Sequence, residues 1–171
     1  MMSEAMFHLV CGSTGAGKTT HAGKLARQIG ALHLSIDDWM MTLFAPDMPR
    51  PLDWAWIGER AARCENQMVV TALALGRIGV SSILDLGLLR ADRRRSIAAT
   101  ATAAGLGVRL HFVDVDPAER WRRVEGRNHD RGETFRLAVT RPMFDFIETI
   151  WQPPDAGEMA ALNDVRVTPR G

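Results

Sequence analysis

The stretch "LVCGSTGAGKTTH", residues 9–21, determines the fold that we expect for this chain. Its apolar start is typical of a buried strand, and its three glycines are typical of a turn that side chains would obstruct. The residues that follow favour a helix over Lys18–Ile29, which Gly30 ends. The stretch therefore predicts a strand that passes through a glycine-rich turn directly into a helix.

The turn itself, GSTGAGKT at residues 12–19, fits the pattern G-x-x-x-x-G-K-[ST] in full. Glycines at these positions let consecutive backbone N–H groups curve around an anion, and the following helix directs the positive end of its dipole toward it. The Lys18 ammonium can reach nucleotide β- and γ-phosphates, and the Thr19 hydroxyl can bind Mg²⁺. We therefore expect ATP or GTP with Mg²⁺ here. The expected nucleotide-binding residues are Gly12, Ser13, Thr14, Gly15, Ala16, Gly17, Lys18, Thr19 and Thr20.

The length and composition of the chain indicate a single globular domain over residues 1–171, with 46% apolar and 24% charged residues. A formal net charge of +1 provides no overall basic field, so extended nucleic acid is not expected as a partner. Neither a membrane span of about 18 apolar residues nor a signal-peptide pattern is present. Cys11 and Cys64 lack metal-ligand spacing and are expected to be free thiols. These features predict a cytoplasmic protein and leave its oligomeric state open.

Strand and helix patterns alternate along the chain. The predicted strands are residues 7–11, 31–36, 80–86, 108–115 and 165–169, and the predicted helices include residues 18–29, 54–75 and 92–104. Asp92 is the expected N-cap of the last of these helices, residues 44–53 are expected to be a loop, and a final helical region is expected to be interrupted at Pro142. Strands separated by helices indicate an α/β fold, with a parallel sheet covered on both faces.

Two adjacent acids, Asp37 and Asp38, follow the second predicted strand. Open parallel sheets bind ligands at the carboxyl ends of their strands, and a carboxylate there can accept a proton from an attacking hydroxyl. Either acid can instead cap the next helix. We favour Asp37 as the base and Asp38 either as the cap or as a residue that supports the base from behind, and the choice between the two acids stays open at this point.

The third predicted strand ends in Asp85, which is placed to assist Mg²⁺ or to orient a substrate, although it can also be a simple strand-end carboxylate. Hydrolytic ATPases commonly place a glutamate directly after this acid, whereas Leu86 follows it here. A GTPase needs an Asn/Thr-Lys-x-Asp element for guanine, and the lysines of this chain are Lys18 and Lys24 alone. The sequence therefore favours ATP and group transfer over GTP and hydrolysis.

Five arginines lie within residues 120–131. The three that we interpret as part of a solvated helix face are Arg120, Arg122 and Arg123. Arg127 and Arg131 lie in the turn-prone segment GRNHDRG, and we expect them in a lid at about residues 126–134. There they would close over the nucleotide and stabilise the charge of the transferring phosphoryl group.

The segments GSTGAGKTT, SIDDW, ILDLG and RNHDRG, in this order and spacing, resemble P-loop kinases of the polynucleotide-kinase, chloramphenicol-phosphotransferase and zeta-toxin type. The resemblance covers about residues 7–135. It implies a three-layer P-loop NTPase fold with a five-stranded parallel sheet, ATP with Mg²⁺, and transfer of the γ-phosphate to a hydroxyl. By analogy it also places residues 166–169 near the adenine. The catalytic and metal-binding roles that it supports fall on Lys18, Thr19, Asp37, Arg127 and Arg131.

The acceptor side departs from the polynucleotide kinases that the chain resembles. Those kinases have R-D-D-Y-R-like surroundings at the acid pair, with the later arginine on the acceptor's phosphate, whereas Ile36 and Trp39 flank the pair here. Apolar residues near the proline-rich loop instead indicate a compact, partly apolar or ring-bearing acceptor, although Trp54 can equally belong to a buried helix face. The candidate acceptor-binding residues are Asp38, Trp39, Arg50, Trp54 and Arg90.

The sequence thus predicts an ATP-dependent phosphotransferase that acts on a hydroxyl of a small molecule. Two alternatives stay open: a kinase for nucleosides or nucleic-acid 5′-hydroxyls, and a nucleotide-binding regulatory ATPase. The first would show salt-sensitive affinity for oligonucleotides. The second would bind ATP without phosphorylating any acceptor.

Overall fold

Strands and helices alternate along the part of the chain that this computed structural model describes, residues 5–130 and 138–169. The strands are β1 (Met6–Cys11), β2 (Leu32–Ser35), β3 (Ser82–Asp85), β4 (Gly107–Val113) and β5 (Val165–Val167). The helices are α1 (Lys18–Ile29), α2 (Ile36–Phe44), α3 (Trp54–Arg77), α4 (Ala91–Ala103), α5 (Pro117–Asp130), α6 (Arg141–Ile150) and α7 (Ala156–Ala161), with a 3₁₀ turn at Ala45–Asp47. None of these helices is both long and apolar enough to cross a membrane.

The five strands form one sheet in the order β2-β3-β1-β4-β5, and every neighbouring pair is parallel. This confirms the predicted five-stranded parallel sheet. Strand β1 lies in the middle of the sheet, so the glycine-rich turn that follows it emerges at the centre of the carboxyl edge. Open α/β sheets bind ligands at this edge, in the crevice where the order of the strands reverses.

Both faces of the sheet are covered, as the sequence predicts. Phe7 and Leu9 of β1 pack into a core with residues of α3 and α4 such as Met68 and Ile97. On the opposite face, Val10 packs against α1. Because both faces are buried, the strand is apolar along nearly its whole length, which is typical of a parallel sheet. The architecture is therefore three-layered.

Helix α2 begins at Ile36, the residue with which the second strand was expected to end, and two predictions are wrong here. Strand β2 ends at Ser35, and the Ser35 hydroxyl caps α2 by accepting the Asp38 N–H at 3.3 Å. Ser35, and not Asp38, is therefore the N-cap. Asp37 and Asp38 lie in the first turn of α2, where carboxylates interact favourably with the helix dipole.

Two further predictions about helix starts are wrong. Arg90 is the N-cap residue of α4, so Asp92 lies in the first turn and pairs with the Arg90 side chain. Pro142 does not interrupt the last long helix but lies in the first turn of α6, after the Thr140 cap. The first turn of a helix has no partner for its N–H groups, so a proline is accommodated there without loss.

The predicted lid at residues 126–134 is helical as far as the structure describes it. Helix α5 continues through Gly126 to Asp130, so Arg127 lies on a helix and not in a turn. The buried residues Arg120 and Val124 anchor this helix, and such packing outweighs the cost of about 1 kcal/mol for one internal glycine. Arg131 and the rest of the predicted lid lie outside the described residues.

Candidate active site

The glycine-rich turn between β1 and α1, residues 12–17, adopts a conformation that depends on glycine. Gly15 has a φ of +81°, and a Cβ atom there would lie 2.5 Å from the Arg120 carbonyl oxygen. Gly17, with a φ of +95°, is the N-cap of α1 and provides no side-chain cap. The first N–H groups of α1 therefore meet no capping side chain and are available to an anion.

This turn lines a cleft of about 1310 Å³ at the carboxyl edge of the sheet. The cleft brings together residues from separate elements that the sequence singled out individually. Those with functional side chains are Lys18, Thr19, Thr20, Asp37, Asp85 and Arg127, and Thr14, Gly15 and Gly17 line it as well. The predicted phosphate-binding turn and the predicted base thus share one cavity.

Opposite charges influence one another strongly in this cleft. Burial lowers the pKa of the Lys18 ammonium, and the carboxylates of Asp85 and Asp37 partly offset that effect. Solvent reaches Asp37 through the open cleft, yet the surrounding protein atoms, and then the charge of Asp85, raise the pKa of its carboxyl group. Lys18 and Arg127 act in the opposite direction on Asp37. A carboxylate with a raised pKa is a stronger proton acceptor than an ordinary aspartate.

Arg127 presents a buried donor to this cleft. Its Nε atom is buried and has no hydrogen-bond partner among the described residues. Burial lowers the pKa of its guanidinium, and the negative charge of Asp37 raises it. Buried donors in native proteins are nearly always satisfied, so an unpaired Nε is unusual. The Arg127 side chain as a whole is only partly buried and lines the cleft, so its positive charge suits an anionic ligand there.

The oxygen ligands in the cleft suit magnesium bound together with phosphate. The described residues contain no group of three or more His, Cys, Asp or Glu side chains that could hold a metal ion. Thr19 and Asp85 nevertheless provide a hydroxyl and a carboxylate in the same cleft. Mg²⁺ usually binds through one or two such groups and takes its remaining ligands from phosphates and water. The residues therefore fit a Mg²⁺ ion that binds together with the phosphates of a nucleotide.

One wall of the cleft is apolar, and the sequence analysis missed most of it. Met143, Phe146 and Ile147 on one side of α6 line the cleft, and Trp54 and Leu89 do so too. Trp54 and Phe146 are 60% and 62% exposed, so Trp54 does not belong to the buried face of its helix. The spacing of the three α6 residues, i, i+3 and i+4, is typical of one apolar face of a helix and could have indicated this wall. The sequence analysis did not use it, because the helix was expected to be interrupted at Pro142.

Most of the predicted acceptor-binding residues do not line this cleft. Asp38 and Trp39 line a separate hollow of about 290 Å³ on α2. Arg90 is exposed and forms an ion pair with Asp92. Arg50 is exposed, and it too is absent from the residues that line the cleft. Trp54 alone among the five predicted residues faces the cavity that holds the phosphate-binding turn.

The interpretation of Arg120 and Arg123 as solvated residues is wrong. Arg120 is 4% exposed and pairs through both terminal nitrogens with Glu148 of α6, at 2.7 Å each. Arg123 lines the cleft and donates to the Pro169 carbonyl oxygen at 3.2 Å. Arg122 does lie on the solvated face. Arg122 follows Arg120 by two residues, about half a helical turn, so the two side chains lie on different faces of α5. The packing against α6 that buries Arg120 cannot be read from the sequence.

Three histidines form a row that no local sequence pattern connects. The His111 ring nitrogens lie 3.0 Å from His8 Nδ1 and 3.1 Å from His21 Nε2. Burial, and then the positive charge that His8, His21 and Arg109 can carry, lower the pKa of His111 to about 3. Burial also lowers the pKa of His8 and of His21, so all three rings are neutral at physiological pH. The row joins β1, β4 and α1 beside the cleft, which His21 lines.

Comparison with known proteins agrees with this geometry. The chain belongs to the AAA domain family, whose family model matches residues 7–145. It is 30% identical over 149 residues to an adenylate kinase of Streptococcus uberis, which covers 82% of this chain and 70% of that protein. Because of this family match and this relative, the chain is classed as a P-loop kinase-like protein.

Solved structures show the same fold at low sequence identity. An APS kinase of Mycobacterium tuberculosis, solved with AMPPNP and APS, aligns with a TM-score of 0.66 at 17% identity, over 97% of this chain and 89% of that one. A sugar kinase from Janibacter sp. HTCC2649 aligns with a TM-score of 0.64 at 16% identity, over 96% and 85% of the two chains. The three-layer P-loop kinase fold predicted from the sequence is thereby confirmed.

Proposed function

We propose that this protein is an ATP-dependent phosphotransferase that transfers the γ-phosphate of ATP to a hydroxyl group of a small molecule. The observation that carries the proposal is the position of the Asp37 carboxylate. It faces the same cleft as the phosphate-binding turn, within electrostatic reach of Lys18 and Arg127. A base, a phosphate-binding turn and partly buried cations in one cavity are the parts that phosphoryl transfer to a hydroxyl requires.

On the donor side, the backbone N–H groups of the turn and Lys18 would bind the β- and γ-phosphates. Thr19 would hold Mg²⁺, with Asp85 close to it, and the ion would neutralise charge on the phosphates. The Arg127 guanidinium would donate to the transferring group. Arg123, Val167 and Pro169 line the cleft as well, which supports an adenine site at the C-terminal end of the described chain.

On the acceptor side, Asp37 favours a hydroxyl over a phosphate. A phosphate acceptor is already anionic at neutral pH and needs no base, whereas a hydroxyl gains from a carboxylate that removes its proton. A phosphate acceptor also needs cations of its own. The Lys and Arg residues among the described lining residues are Lys18, Lys24, Arg123 and Arg127. We assign Lys18 and Arg127 to the transferred phosphate and Arg123 to the adenine end, which leaves Lys24 alone of these four for an acceptor phosphate. The adjoining wall on α6 is apolar.

The test compares wild type with Asp37→Asn and Asp38→Asn in an ADP-release assay with Mg-ATP. The acceptor panel contains nucleosides, sugars, amino alcohols, ring-bearing alcohols, a 5′-hydroxyl oligonucleotide and AMP. We expect one class of hydroxyl compound to raise turnover above the ATPase background. Asp37→Asn should lose about 10²–10⁴-fold of that rate while still binding ATP, as expected for a general base. Asp38→Asn should keep most of it, because Asp38 lines a separate hollow.

Other outcomes favour other functions. Turnover with AMP that is insensitive to Asp37→Asn would indicate a nucleotide kinase, the activity for which the Streptococcus uberis relative is named. Turnover with the oligonucleotide that falls steeply with salt would indicate a nucleic-acid kinase. ATP binding with no acceptor in the panel, and no difference between the two variants, would favour a regulatory ATPase.

A further inference from the structure

A polar bridge joins the phosphate-binding turn to α6. Ser13 Oγ donates to Glu148 Oε1 at 2.5 Å, and Arg120 of α5 donates to both Glu148 oxygens at 2.7 Å. Arg120 Nη1 also donates to the Thr14 carbonyl oxygen, at 3.3 Å. Glu148 thus receives hydrogen bonds from the turn itself and from the arginine that holds the turn's backbone.

The bridge lies behind the turn and not in the cleft. Ser13 is 2% exposed and Arg120 is 4% exposed, and neither they nor Glu148 line the cavity. The Ser13 hydroxyl is therefore out of reach of a nucleotide in the cleft. The Glu148 side chain is 26% exposed, so the bridge is partly rather than fully shielded from water. Charge-assisted hydrogen bonds are nevertheless stronger than neutral ones, and a carboxylate that accepts three of them fixes the groups around it.

The opposite side of the same helix forms the apolar wall of the cleft. Ile147 directly precedes Glu148, and Met143 and Phe146 lie on the previous turn. Phe144, which is buried, packs its ring against Trp121 of α5. Helix α6 is therefore held to the turn and to α5 on one side, and it faces the proposed acceptor site on the other.

We propose that Glu148 is a positioning residue that holds the phosphate-binding turn through Ser13 and Arg120 and thereby fixes α6, the acceptor wall, relative to the phosphates of bound ATP. This inference rests on the proposed function to the extent that the turn must bind ATP. The bridge makes nucleotide affinity depend on side chains that never touch the nucleotide. It also makes the conformational stability of α6 depend on whether a nucleotide is bound at the turn.

The first test measures the affinity of full-length protein for Mg-AMPPNP by titration calorimetry. We expect Ser13→Ala to weaken binding about five- to tenfold and Glu148→Gln to weaken it about tenfold or more, because each removes a charge-assisted hydrogen bond that shapes the turn. The matched control is Asp145→Asn, which exchanges a carboxylate for an amide on the same helix. Asp145 pairs with Arg141 at the surface. The affinity of the Asp145→Asn variant for Mg-AMPPNP should therefore stay within about twofold of wild type.

The second test measures hydrogen exchange of the α6 amides, residues 141–150, with and without Mg-AMPPNP. Exchange in wild type and in Asp145→Asn should slow when the nucleotide binds, because the bridge transmits the order of the turn to α6. Ser13→Ala and Glu148→Gln should lose this protection. The double variant should be no worse than Glu148→Gln alone, since both changes remove the same bridge.

The outcomes separate a positioning role from a structural one. If the Glu148 and Ser13 variants unfold more easily but bind Mg-AMPPNP as wild type does, the proposal is overturned. If Glu148→Gln does not fold, Ser13→Ala decides alone, because it removes only one hydroxyl. Failure of wild type to bind Mg-AMPPNP would instead overturn the proposed function, and with it this inference.

Discussion

Among single residues, Asp37 and Asp85 are the pair whose electrostatic repulsion matters most for the site. The two carboxylates act on each other in one cleft, and the charge of Asp85 is among the causes that raise the pKa of Asp37. The folded state therefore holds the ionised form of Asp37 less favourably than the unfolded chain does. Residues arranged for chemistry commonly reduce stability in this way.

We expect Asp37→Asn to increase the free energy of unfolding at pH 7. A raised folded-state pKa means that the ionised carboxylate destabilises the fold above that pKa. The penalty should shrink as the pH falls through the raised value and disappear below about 3.8, where the carboxyl group is protonated in both states. Urea unfolding of wild type and variant at pH 7 and at lower pH measures the difference.

The control for this prediction is Asp47→Asn, at an exposed position in the 3₁₀ turn. It should change the free energy of unfolding by no more than about 0.5 kcal/mol. If Asp37→Asn is less stable than wild type at pH 7, the prediction is wrong. The attraction of Lys18 and Arg127 for the Asp37 carboxylate would then outweigh the unfavourable effects of burial and of repulsion by Asp85.

Among the elements, the close approach of α5 to the phosphate-binding turn is the contact that tolerates least change. The backbone of Gly15 lies against the Arg120 carbonyl oxygen and the Val124 side chain. The same helix supplies Arg120 to the bridge and Arg123 and Arg127 to the cleft. Gly15, the second of the three glycines in the turn, is therefore also the place where α5 packs on the turn.

We expect Gly15→Ala to lower the free energy of unfolding by about 1–3 kcal/mol and to weaken ATP binding. An alanine is strained at a φ of +81°, and its Cβ would lie 2.5 Å from backbone and 2.9 Å from Val124 Cγ2. Thermal unfolding and Mg-AMPPNP titration measure the two effects.

The matched control is Gly23→Ala in α1. A Cβ there meets only the flexible end of Arg27, at 3.7 Å, in an ordinary helical conformation. Helix propensity then predicts stabilisation by about 0.5–1 kcal/mol. Equal effects of the two substitutions would show that α5 does not press on the turn.

At the scale of the whole molecule, the cleft exists because distant segments converge on it. Trp54 of α3, Leu89 after β3 and Phe146 of α6 line the apolar wall, while the phosphate-binding turn and α1 line the cleft as well. The large exposed apolar side chains at this wall have no role in the core. A ring-bearing or otherwise partly apolar acceptor would cover them.

We expect Phe146→Ser to raise the KM for the acceptor found in the panel and to leave the affinity for Mg-AMPPNP unchanged. Because Phe146 is largely exposed, the free energy of unfolding should change by less than about 0.5 kcal/mol. Steady-state kinetics with both substrates varied separates the two effects. Ile78→Ser is the control, since Ile78 is exposed and does not line the cleft. An unchanged acceptor KM in Phe146→Ser would exclude this wall from the acceptor site.

Local sequence patterns are enough to predict the parallel α/β fold and the phosphate-binding turn. The fold follows from apolar strands that alternate with helices, and the turn follows from glycines, Lys18 and Thr19 that all lie within residues 12–19. The roles given to Asp37, Asp85 and Arg127 stay predictions. The positions of Asp37 and Asp85 in one cleft follow from the rule that parallel strands end at a common edge. The position of Arg127 depends instead on how α5 packs.

Which of two neighbouring residues faces that cleft depends on tertiary packing. Arg120 is buried while Arg122 is solvated, and Asp37 lines the cleft while Asp38 lines another hollow. The bridge from Ser13 to Glu148 spans 135 residues of sequence, and the row of His8, His21 and His111 spans 103. Local periodicity carries no information about such contacts, because they depend on how helices pack across the sheet and not on the residues beside them.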